Sequence, residues 1–149
     1  MWFTYLSLLD STSDLGVLLG YTPDLCSLHF KSLFNTQPTL ISSICALFQN
    51  LNGPLQCLTI DLLIVSDNID LWAKWAVMNE LFREQKFSLL ERVVFNLVSV
   101  DNVPIRDDAG ELLSRQLPFL HGSGKLIVRR HTGKYNSRCR PVVYARPPS

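Results

Sequence analysis

No acidic residue follows Glu111 in this chain of 149 residues, although all 13 of its acidic residues lie at or before that point. Seven of the 14 basic residues lie at or after Lys125, so residues 1–124 carry −6 and residues 125–149 carry +7. The formal net charge of +1 therefore hides an acidic body and a basic tail. Cysteine is sparse, and Cys26, Cys45, Cys57 and Cys139 form no C-x-x-C pair and have no histidine at ligand spacing. Zinc needs four converging nitrogen or sulfur ligands, so no metal is expected. Cys26 and Cys45 stand among apolar residues, as small buried hydrophobes do, and unpaired thiols fit a reducing cytoplasmic or nuclear compartment.

Uninterrupted apolar runs are also missing. The apolar start (Trp2, Phe3, Tyr5, Leu6, Leu8, Leu9) has no basic flank and is cut by Asp10, so no signal peptide is expected. The longest uncharged stretch, 32–60, holds Pro38, Gln49, Asn50, Asn52, Gly53 and Pro54, which a bilayer helix would not accommodate together. A Walker loop, H-E-x-x-H, G-x-S-x-G and a dinucleotide fingerprint are all absent. The glycine-rich His121-Gly122-Ser123-Gly124 precedes a strand, the wrong order for a phosphate cradle, and reads as a turn. The expectation is a chain that is neither an enzyme nor a cofactor carrier nor a membrane protein.

What the sequence does have is a recurring pattern. Hydrophobic residues make up 47% and charged residues 18%, enough for one folded core. Four segments share a half-buried alternation: Leu25/Leu28/Phe30, Leu55/Leu58/Ile60/Leu62, Leu90/Val93/Phe95/Leu97 and Leu126/Val128. Their equivalent positions Leu28, Leu58, Val93 and Leu126 lie 30, 35 and 33 residues apart. Helical periodicity fills the gaps, over 39–51 (Leu40, Ile44, Leu47, Phe48, Leu51), 68–84 (Leu71, Trp72, Trp75, Met78, Phe82) and 108–117 (Leu112, Leu113, Leu117). Asp67 is the expected N-cap of the second helix, and Pro118 the expected stop of the third. The two tryptophans read as core, as aromatic stripes at helical spacing usually are.

Strand–helix alternation at this period implies α/β architecture with parallel strands in chain order. We expect a leucine-rich-repeat-like stack of strand–helix units, a curved solenoid fragment with its helices on one side. A doubly wound sheet is disfavoured because the strands alternate instead of being apolar throughout. The expected domains are 1–22, a worn first unit or an incomplete cap; 23–131, the repeat-like body; and 132–149, an extended or disordered basic tail.

The outward strand positions are Ser27, His29 and Lys31; Cys57, Thr59 and Asp61; Arg92, Val94 and Asn96; Ile127 and Arg129. His29, Lys31, Thr59, Asp61, Arg92, Asn96 and Arg129 are the candidate partner-binding residues. The competing reading of the same residues is an ordinary solvated sheet face. His29 is taken as the only histidine in a regular element, with Asp61 in reach on the neighbouring strand. A His and an Asp without a nucleophile do not make a triad. The tail has Arg129, Arg130, Lys134, Arg138, Arg140 and Arg146 with Tyr135 and Tyr144 between them, so nucleic-acid binding is the second functional reading. A small α/β enzyme of unrecognised type is the third.

Several stretches resemble the C-terminal, leucine-rich-repeat-like region of mushroom-type (basidiomycete) fungal F-box proteins. They are residues 75–81, Phe87-Ser88-Leu89-Leu90-Glu91-Arg92-Val93, Leu117-Pro118-Phe119-Leu120 and Gly124-Lys125-Leu126-Ile127-Val128, with the earlier Pro54-Leu55-Gln56-Cys57-Leu58-Thr59-Ile60. The resemblance implies a substrate-recognition domain of a ubiquitin ligase. No F-box helix set is recognisable before residue 23, so docking on the Skp adaptor is not expected.

Overall fold

The computed structural model describes residues 2–7, 25–49, 51 and 54–131. The readings made for the 132–149 tail fall outside them. Five strands form one open sheet: β1 (Trp2–Ser7), β2 (Leu25–Phe34), β3 (Cys57–Ile64), β4 (Arg92–Ser99) and β5 (Leu126–His131). They pair in the order β1-β2-β3-β4-β5, every neighbour parallel. The fold class is thus α/β with a parallel sheet in chain order, and no strand order reverses as it would in a doubly wound sheet. β1 lies in the segment that the sequence left undecided between a first unit and a cap.

Each of the three described crossovers, those after β2, β3 and β4, carries helix. The first of these is α1 (Leu40–Gln49). The second holds α2 (Ile69–Ala73), a 3-10 turn (Lys74–Ala76), α3 (Val77–Phe82) and a second 3-10 turn (Gln85–Phe87). The third holds α4 (Ala109–Gln116) and α5 (Pro118–Gly122). All of them bury apolar side chains in a single cluster with the strand residues Leu28, Phe30, Leu58, Ile60, Leu62, Val93, Phe95 and Leu97. The described helices therefore share one face of the sheet, as parallel crossovers of one hand require. Leu58, Ile60, Val93, Phe95 and Trp75, the expected core, are at most 2% exposed. Phe48 of α1 meets Phe30, Phe82 and Phe87 with ring centroids 6.0, 6.2 and 5.4 Å away, and Trp75 stands edge-on to Phe95 at 5.0 Å. Among the described residues no helix is long and apolar enough to cross a membrane.

Two local expectations need correction. The helix expected over 68–84 is broken by the 3-10 turn at Lys74–Ala76. Trp72, Trp75 and Met78, all buried, are spaced by three, and a 3-10 segment brings residues three apart into line where an α-helix rotates them away. The N-cap is Asn68 and not Asp67: its side-chain oxygen accepts the Asp70 N–H at 3.0 Å. The third helix ends just before Pro118 as expected, with Leu117 as its C-cap, and Pro118 then opens α5, where its fixed φ suits the first turn.

A register shift between Phe30 and Leu33 returns Leu33 to the helix side and carries β2 four residues beyond Phe30. Just past it, buried Asn35 stitches two successive loops together. Its N–H donates to the Leu63 carbonyl (2.9 Å), its amide Nδ2 donates to the Ser66 carbonyl (2.7 Å), and its Oδ1 accepts from the Val65 N–H (2.9 Å). A buried polar side chain persists in such a place because every polar group it brings is satisfied.

Candidate functional site

The face opposite the helices is laid out by the parallel register. Ser27, Cys57 and Arg92 form one row across the strands. His29, Thr59, Val94 and Ile127 form the next. Asp61, Asn96 and Arg129 form the third, with Lys31 in the shifted segment of β2, and Phe34, Leu63, Val98 and His131 form the fourth. The sequence-derived outward set falls on this one face. Its seven candidates span four strands, and the structure links three of them, His29, Asp61 and Asn96, across the second and third rows. Val94 and Leu63, though on this face, are buried at 5% and 1% exposure.

At the centre is a polar chain that crosses β2 to β5. His29 Nε2 lies 3.0 Å from Asp61 Oδ1. Asn96 Nδ2 donates to the same oxygen at 2.8 Å. Because the Asn96 amide nitrogen is committed to that carboxylate, its Oδ1 faces the other way and lies 3.4 Å from His131 Nε2. Burial pushes the Asp61 carboxyl up. The bonds to His29 and Asn96, and the nearby charges of His29 and Lys31, outweigh that and hold it below the usual carboxylate range. For Lys31, burial lowers the ammonium and Asp61 partly restores it. Arg92 and Arg129 lie on the same face and make no ion pair with any described residue.

His131 was missed by sequence reading, and His29 is not the only histidine in a regular element: His131 closes β5 and His121 lies in α5. Arg129 and Arg130, read as the head of the tail, belong to β5 as well. Only the strand register could have revealed His131, since nothing in its local sequence distinguishes it from a basic tail.

Chemically, the chain is a hydrogen-bonded polar stitch around the Asp61 carboxylate. Cys57 and Thr59 lie on the same face, with no side-chain hydrogen bond from the thiol or the hydroxyl among the described residues. No cluster of three or more metal-ligating side chains occurs among the described residues. Two hollows lie on the helix side. One, of about 500 Å³, lies against α1, α2 and α3, lined by Leu40, Ile41, Cys45, Leu71, Trp75 and Val77 among others. The second, of about 610 Å³, lies beside α4 and β5, with Glu111, Arg115, His121 and Leu126 in its wall. Neither is lined by His29 or Asp61, so the pocket that an enzymatic reading of that pair would call for is not formed by either. No family model, no curated protein and no solved structure matches the chain.

Proposed function

We propose that the chain is a non-catalytic protein-binding module of leucine-rich-repeat-like type, a curved solenoid fragment that receives its partner on the face opposite the helices. The observation that carries this is the coincidence of two patterns. The repeated L-x-x-L-x-L spacing recurs as Leu25-Leu28-Phe30, Leu55-Leu58-Ile60 and Leu90-Val93-Phe95. At one register position after the first residue of each, the backbone is tied to the next unit, with Gln56 N–H donating to the Cys26 carbonyl and Glu91 N–H to the Gln56 carbonyl, both at 2.7 Å. Identical bonds between successive turns are how stacked repeats bury a continuous core. The strand layer then offers an extended surface of mixed polar and apolar side chains. Within this reading the F-box resemblance points to the substrate-receptor region of a ubiquitin ligase, and the compartment is cytoplasmic or nuclear.

Proximity labelling in cells tests the reading when wild type is compared with two bulky variants. Thr59→Trp fills the centre of the outer face, and Val77→Trp adds the same bulk to an exposed helix position. The expected result is a set of labelled proteins that disappears with Thr59→Trp and persists with Val77→Trp. Identical sets for all three chains would contradict it.

A further inference from the structure

We propose that the outer face takes an acidic polypeptide segment in extended form, held by Arg92 and Arg129 beside the Asp61–Asn96 pair. This rests on the protein-binding reading above and gives the partner its chemistry. The six arginines among the described residues divide sharply. Arg83, Arg106, Arg115 and Arg130 each sit within 4 Å of a carboxylate, those of Glu80, Asp108, Glu111 and Asp107. Arg92 and Arg129 are exposed and make no ion pair with any described residue. They are the two arginines on the outer face. A guanidinium is the side chain best suited to bind a carboxylate through two parallel hydrogen bonds, and these two forks have none.

The rest of the face fits the same occupant. Its outward rows hold the cations Lys31, Arg92 and Arg129 against the single carboxylate of Asp61, and the Asn96 and His29 contacts already engage that carboxylate. The other described acidic residues lie on the helices, in loops or at a strand mouth. An incoming acidic chain thus meets a surface of opposite sign. Ile127 and Val98, half-buried, stand beside the charges and supply apolar contact for alternate side chains of an extended segment. Arg92 and Arg129 are one strand and four residues apart, about 14 Å by standard sheet spacings. That is roughly four residues of extended chain, so carboxylates at every fourth position suit the pair. Nucleic acid fits less well. Backbone binding sums many Lys and Arg contacts to phosphate, whereas these outward rows hold three such side chains, and Asp61 would oppose each phosphate laid across the third row.

Fluorescence anisotropy on the full chain tests this with a labelled peptide that places glutamate at every fourth position among valine and serine. The same peptide with glutamine, and a single-stranded oligonucleotide, serve as the other probes. Saturable binding of the glutamate peptide is expected, weakening as salt rises from about 50 to about 300 mM. It should weaken roughly tenfold or more in Arg92→Glu/Arg129→Glu, where each reversal turns an attraction into a repulsion. Arg83→Glu/Arg115→Glu changes the net charge equally on the helix side and should bind as wild type does. Arg92→Gln/Arg129→Gln replaces the reversal if the first variant melts abnormally. Equal binding of the glutamate and glutamine peptides, equal losses in both double variants, preference for the oligonucleotide, or no binding at all would each overturn the proposal. The Thr59→Trp labelling comparison would then decide by itself whether the face binds some other protein.

Discussion

The two faces of the sheet are built from the same strands by opposite means. On the helix side every inward residue of β3 from Leu58 to Ile64 is at most 1% exposed, and the contacts are aliphatic and aromatic. On the outer side the strands are joined by side-chain polar contacts, His29 to Asp61 to Asn96 to His131, and flanked by Arg92 and Arg129, which form no ion pair among the described residues. Burying apolar surface is non-directional and stabilises in proportion to area. A half-exposed hydrogen-bonded row contributes far less, because water competes for the same groups. The difference teaches that one face makes the fold and the other is left with functional freedom.

The sharpest way to break this comparison is to hollow out the helix side. Phe95→Ala removes a fully buried ring that packs edge-on against Trp75 and should cost about 3–5 kcal/mol in denaturant unfolding. A loss below about 1 kcal/mol would show that the helix side is not the stabilising face. Asp61→Ala, its counterpart in the outer row, leaves the Asn96 amide and His29 without their carboxylate and should cost on the order of 1–2 kcal/mol. A loss matching that of Phe95→Ala would erase the distinction between the faces.

Acid sharpens the contrast further. The folded carboxyl of Asp61 is lowered, so its stabilising contribution is fully present above the unfolded value of about 3.9. That contribution disappears as pH falls through the lower folded value. Below about pH 4 the wild type should therefore lose stability that Asp61→Asn does not lose. Parallel acid melts of the two chains would contradict the assignment. The smallest effect is expected at the rim. Arg92→Ala and Arg129→Ala should each change stability by no more than about 0.5 kcal/mol, since neither side chain is buried or paired among the described residues.

The helix side was the more legible of the two in the sequence. Alternation with period two marks Leu58, Ile60, Val93 and Phe95 as inward whatever their partners, and the recurrence near every thirty-odd residues orders the strands. Contacts across the outer face depend instead on register. The shift between Phe30 and Leu33, which decides where Lys31 and Phe34 stand, arises from an extra residue that composition does not announce. Asn96 and Asp61 were singled out separately, but their bond follows from direct pairing in β3 and β4. His131 was hidden within a run of basic residues, where charge masked a strand. The 3-10 turn at Lys74–Ala76 escaped for a related reason: spacings of three and four are both read as one helical face until packing against the sheet decides between them.

Site-specific photo-crosslinking tests the division of labour most directly. A photoreactive side chain at Thr59, in the middle of the outer face, is compared in cells with the same group at Ala76, exposed on the helix side. The account predicts discrete protein adducts from Thr59 that are absent from Ala76, at unchanged melting temperature for both chains. Adducts of equal yield from both positions, or from Ala76 alone, would contradict it.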